Sequence, residues 1–110
     1  MNWKTTGKLL LLLSAICFSA LSNADPVWID VRTVSEHKED NIEGDTLIPH
    51  GEIVQHVSDM FPDKSTEIHL YCRSGGRAGI ALEALQEAGY TNVSNAGGIE
   101  DAREQRGLNE

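Results

Sequence analysis

The sequence predicts one α/β domain, a central mainly parallel sheet flanked by helices. Three observations carry this. Short β-branched and aromatic runs alternate with stretches of helical apolar spacing, the order that builds parallel sheets. A glycine pair, Gly75-Gly76, joins a strand directly to a helix. The chain has 110 residues, room for a single domain where domains centre on about 100–150.

Val27 to Val31, after Pro26, is β-branched and aromatic and reads as the first strand. Thr33-Val34-Ser35-Glu36 follows with the S/T-x-x-E pattern, in which threonine and glutamate satisfy the free amides of a helix start. Asn41 to Asp45 is a polar loop around Gly44, and Leu47-Ile48 is a brief apolar pair ended by Pro49. Ile53, Val57, Met60 and Phe61 then place one apolar stripe on a helix over 51–61, which Pro62 stops. Glu67 to Tyr71 is the next strand, and Cys72 to Arg77 follows it directly. Ala78, Ala81, Leu82 and Leu85 form a second stripe, with Gly89 suited to the left-handed position past that helix. Both stripes read as core. Asn92 to Asn95 is a last short strand, followed by Gly97-Gly98 and a charged helix over 99–105. Tyr71 and Trp28 read as sheet packing.

The first 24 residues stand apart: Lys4 and Lys8 precede the apolar run Leu9 to Leu13, no acidic residue occurs, and Ser22-Asn23-Ala24 is a small-x-small cleavage signal. The apolar run is shorter than the ~20 residues of a membrane span. The expectation is a signal peptide over 1–24, cleaved after Ala24, with a domain over 25–110 exported to the periplasm and no stable membrane contact. Two alternatives keep the protein at a membrane: an uncleaved anchor, or acylation of Cys17. The bulk of Ile16 argues against the second.

Removing 1–24 takes two of the nine basic residues and none of the 17 acidic ones, so the formal charge goes from −8 to −10. This excludes a nucleic-acid partner, whose phosphates want a basic face. Of the two cysteines only Cys72 then remains. A lone thiol cannot form an internal disulfide in a compartment where disulfides persist, so its reading turns on its neighbours.

Those neighbours favour chemistry over packing. A strand ending in cysteine and running through two glycines into a helix aims backbone N–H groups at one point, and the helix start lowers a thiol pKa. Arg73 and Arg77 add local positive charge, and exposed acidic groups beyond the Debye length of ~8 Å are screened. His37, His50, His56 and His69 form no coherent ligand set with a single thiol, so no metal site is expected, and no cofactor is called for.

Cys72-Arg73-Ser74-Gly75-Gly76-Arg77-Ala78 resembles the active-site loop of the rhodanese family, cysteine-x-x-glycine-x-arginine and a small residue. Ile29 to Arg32 with Glu36, Ile42 to Gly44 with Ile48-Pro49, Gly89-Tyr90 and Asn95 to Gly98 also resemble family signatures, so the likeness runs from Trp28 to about Ala102. The signal peptide and short length are similar to exported single-domain members. Asn41, Asp45-Thr46 and Ala102 depart from the family pattern, at positions that bear on packing.

The resemblance implies a rhodanese-like domain and a sulfurtransferase with Cys72 as nucleophile. Its partners would be a small anionic sulfur donor such as thiosulfate and a thiophilic acceptor. Arg73, Ser74, Gly75, Gly76 and Arg77 would bind substrate, Arg73 holding the sulfonate end. It also implies that Asp30, with Arg32 beside it, braces the loop by pairing with a loop arginine; a plain surface ion pair, worth ~0–1 kcal/mol, is the alternative. Two other functions stay open: a persulfide carrier or sensor of low turnover, and a cysteine phosphatase or arsenate reductase. The last pair use five residues between cysteine and arginine, and here there are four. Oligomeric state is not legible.

Overall fold

The computed structural model describes residues 24–108; the expected signal peptide lies, but for Ala24, outside them. Four strands form one sheet in the order β2-β1-β3-β4: β1 Val27–Asp30, β2 Thr46–Leu47, β3 Ile68–Cys72 and β4 Val93–Gly98. Every pairing is parallel. The helices are α1 Val34–Glu39, α2 Ile53–Met60, α3 Gly76–Glu87 and α4 Ile99–Gln105. Parallel strands need crossovers, and each connection here supplies at least one helical turn.

The period of two along the strands assigns their faces. Ile29, Val31, Ile68, Leu70 and Cys72 point to one side and pack with Ile53 and Val57 of α2 and Ala78, Ala81 and Leu85 of α3. Trp28 and Tyr71 point to the other, with Ile42, Ala96, Ile99 and Ala102. β3 is the central strand and is buried on both faces, so Leu70, Tyr71 and Cys72 are all buried. On the second face Trp28 stacks on His69 with ring centroids 4.4 Å apart. Arg106 lies 4.3 Å over the Trp28 ring. Its guanidinium grips Asp45, which also accepts the Tyr71 hydroxyl at 2.7 Å. Asp45, a departure from the family pattern, is thus tied into packing.

Two elements and one side chain differ from expectation. The helix expected over 51–61 is a 3-10 turn at His50–Glu52 followed by α2. Met60, expected in the core, is 48 % exposed at the last residue of α2. β4 runs three residues beyond the expected Asn95, through Gly97 and Gly98. Glycines disfavour strands when alone, but pairing to Tyr71 and Cys72 holds these two in the ladder.

A bulge makes that pairing possible. Leu70 pairs with Asn95 while the next residue, Tyr71, pairs with Gly97, so β4 carries one extra residue. The shift places Gly98 beside Cys72, and a Cβ on Gly98 would overlap the backbone carbonyl of Arg73. Gly98 is therefore a spacer that lets the end of β4 pass under the loop. Gly98→Ala should displace the loop and cost about 1–3 kcal/mol through overpacking; urea unfolding, with a slower reaction of Cys72 toward iodoacetamide, checks both effects.

Candidate active site

Cys72 ends the central strand, and the chain turns at Gly75, where φ is +103°, to enter α3 at Gly76. That φ is open to glycine at little cost. The turn folds the loop amides back over the sulfur: the Gly75 N–H donates to Cys72 Sγ at 3.0 Å. Cys72 is only 1 % exposed. Burial pushes its pKa up, but the amides of Ala78, Ser74, Gly75 and Arg77 more than offset this and hold the thiol below its ordinary value. Hydrogen bonds to a charged group contribute about 1.5–3 kcal/mol each, so a few suffice.

The loop side chains divide into a covered and an open set. Arg77, 28 % exposed, gives both guanidinium ends to Glu36, Nη1 to Oε1 at 2.7 Å and Nη2 to Oε2 at 3.0 Å. Arg73 reaches the same carboxylate only with Nε at 3.4 Å and is 72 % exposed. Ser74 and Gly76 are exposed and Gly75 half-buried. Two surface concavities of about 550 and 250 Å³ lie elsewhere, one against His50 to Gln55 and Ala84, the other between Ala24-Asp25 and the turn before β3. At the loop, the groups offered to a small anion are the amides and Arg73.

Glu36 joins two structures. Its carboxylate accepts the Thr33 N–H at 3.0 Å, and its own N–H donates to Thr33 Oγ1 at 3.1 Å. This is the cap expected at the start of α1. The same carboxylate clamps Arg77, and the two arginine bonds with the cap hold it far below the usual carboxylate range. The sequence pattern shows the cap alone; the clamp spans 41 residues of chain and has no local signature.

The expected pairing of Asp30 with a loop arginine is corrected. Asp30 instead takes Arg32: Nε donates to Oδ1 at 2.9 Å, Nη2 to Oδ2 at 2.8 Å, and the Arg32 N–H to Oδ1 at 3.0 Å. His37 Nδ1 lies 3.0 Å from Oδ2. Nor is this a surface pair, since Asp30 is fully buried and Arg32 is 5 % exposed. The reason is the pleat: Asp30 points to the face opposite Cys72, where the chain folds Arg32 back over it. Burial raises the Asp30 pKa, but the bonds from Arg32 and His37 outweigh it and keep the carboxyl ionised. Arg32 also donates to the Asp40 carbonyl, tying the end of α1 to β1. Asp30 and Arg32 thus fix α1, which carries Glu36, and Asp30 also couples by charge to Arg77 of the loop.

A buried cysteine wrapped by amides at the end of a central parallel strand defines a class of domain, and the family comparison agrees: residues 15–105 match the rhodanese-like domain. The chain belongs to the rhodanese family. Among its relatives is the thiosulfate sulfurtransferase PspE of Escherichia coli (strain K12), 38 % identical over 91 residues, covering 83 % of this chain and 88 % of that protein. Among solved structures, a rhodanese with anions from E. coli is 38 % identical with a TM-score of 0.66, over 70 % of this chain and 91 % of that one. The rhodanese-like domain of the Alr3790 protein from Anabaena sp. is 26 % identical with the same TM-score, over 76 % and 94 %.

Two outcomes follow from the site. Because the Cys72 pKa is lowered, thiolate persists below the pH at which a free thiol protonates. Its alkylation rate should fall only as pH drops through that lowered value, which a pH series with iodoacetamide measures against free cysteine. Glu36→Gln keeps a capping side chain but loses the charge on Arg77, and should cost about 1–3 kcal/mol in urea unfolding, the range for a charged hydrogen-bonded partner.

Proposed function

We propose that the chain is a thiosulfate sulfurtransferase that carries sulfur as a persulfide on Cys72. The Cys72 thiolate attacks the outer sulfur of thiosulfate; the new S–S bond forms as the old one breaks, and sulfite leaves with its electron pair. An acceptor nucleophile, cyanide in vitro, then attacks the outer sulfur of the persulfide, giving thiocyanate and the free thiolate. Dividing the transfer into two displacements is nucleophilic catalysis with ping-pong kinetics.

The observation that carries this reading is the Gly75 N–H held on Cys72 Sγ at 3.0 Å, which with the amides of Ser74, Arg77 and Ala78 favours the ionised sulfur although Cys72 is buried. The same donors suit the anionic persulfide, as an oxyanion hole suits oxygen. Arg73, open to solvent, holds the sulfonate end of the donor; Ser74 and Gly76 border the same opening; Arg77 shapes the loop. The similarity to PspE, a thiosulfate sulfurtransferase, supports thiosulfate as donor. The apolar leader supports export to the periplasm with cleavage after Ala24. Among the described residues no helix is long and apolar enough to cross a membrane.

Intact-mass analysis tests the proposal. Incubation with thiosulfate should add one sulfur atom to the wild type and none to Cys72→Ser, and cyanide should remove it with release of thiocyanate. A folded protein with a free thiol that gains no sulfur would overturn the thiosulfate mechanism. A stoichiometric persulfide without steady-state turnover would instead make the protein a carrier.

A further inference from the structure

We infer that Asn95, on β4, is a positioning residue for the Cys72 loop: its carboxamide grips the Gly75 carbonyl and fixes the peptide that directs the loop amides. The inference rests on Cys72 being the reactive group, as proposed above. Asn95 Nδ2 donates to Gly75 O at 2.9 Å, and Asn95 Oδ1 accepts the Gly97 N–H at 2.8 Å. One partner can only accept and the other only donate, so the amide has a single satisfying orientation. Its backbone is anchored too, since Asn95 pairs with Leu70 in the ladder between β3 and the edge strand β4. A Cβ on Gly79 would lie 3.5 Å from Nδ2, so the side chain rests against the first turn of α3.

The geometry connects this grip to the sulfur. Every described peptide bond is trans, so the C=O of Gly75 and the N–H of Gly76 point in opposite directions. Holding the carbonyl toward Asn95 fixes the plane of the Gly75–Gly76 peptide. Gly75 also carries the N–H that meets Cys72 Sγ at 3.0 Å. As a glycine in the left-handed region, Gly75 has little torsional preference of its own. Its carbonyl is held by two donors, the Gly79 N–H inside the helix at 2.9 Å and Asn95 from outside. Only the second ties the loop to the sheet.

The test uses the full chain and reads alkylation of the Cys72 peptide by iodoacetamide across pH, which reports thiolate whether or not sulfur is transferred. Asn95→Ala should raise the midpoint by about 0.5–1 pH unit, about three- to tenfold less thiolate at pH below both midpoints. Asn95→Asp keeps an acceptor for Gly97 but loses the donor to Gly75. It should shift the midpoint upward as well, also in about 1 M salt, where a Debye length of about 3 Å screens the added charge. Asn92→Ala removes a side-chain bond just before β4, to the Ser65 carbonyl at 3.4 Å, and should leave the midpoint in place. A wild-type midpoint in Asn95→Ala or in salt-screened Asn95→Asp would overturn the inference. So would a lowered melting temperature with an unmoved midpoint, which would mark Asn95 as merely structural.

Discussion

An anion buried from water must be met by hydrogen-bond donors or it will take up a proton, and this constraint governs the molecule around Cys72. The sulfur lies at the end of β3, inside the layer of α2 and α3 packing, where desolvation alone would keep it a neutral thiol. What reverses that is backbone. The Gly75 N–H meets the sulfur at 3.0 Å and the amides of Ser74, Arg77 and Ala78 add to its effect, because a strand, a two-residue bend, a left-handed glycine and a helix start follow one another closely. The parallel sheet makes the arrangement possible: its central strand is covered on both faces and ends at an edge where a helix must begin. The bulge in β4 and Gly98 serve the same constraint by clearing room beneath the turn.

Charge plays a smaller part than the two loop arginines suggest. Arg77 is matched by Glu36 through two short bonds, so its position is fixed by the clamp while its charge still couples to Cys72. Arg73 shares that carboxylate loosely and remains open. Behind them stands a chain of supports: Asp30 and Arg32 bond to each other, and Arg32 donates to the Asp40 carbonyl; this places α1, and α1 presents Glu36. The buried Asp30–Arg32 pair thus acts at one remove, through orientation. Its own worth is bounded by the cost of burying two charges, and breaking one side alone would leave the other uncompensated.

The parts of this design written in adjacent residues could be read in advance. The loop, the cap at Thr33, the stop at Pro62 and the turn at Gly89 each depend on a few neighbours, and each stands where the sequence pattern puts it. The misreadings fall where distant chain decides. Asp30 was matched with the wrong arginine because the pleat that turns it away from the loop, and the fold of Arg32 over it, are tertiary facts. Glu36 shows only its local role, since Arg77 is brought to it from across the chain. β4 looked shorter because glycine carries no strand preference, while its pairing to β3 comes from the sheet. Asn95 resembled a family signature but showed no role, because its partner Gly75 lies 20 residues away.

The balance of groups at the loop also fits sulfur better than phosphorus. A phosphoryl oxyanion spreads about two negative charges over several oxygens and calls for bidentate guanidinium contact. Here one arginine is held by a carboxylate, and the loop has four residues between Cys72 and Arg77 in which to wrap a ligand. A persulfide carries a single charge on one atom bonded to Cys72 itself. The Gly75 N–H already on Cys72 Sγ need reach only one bond further to hold it, while Glu36 keeps Arg77, and with it the first turn of α3, in place.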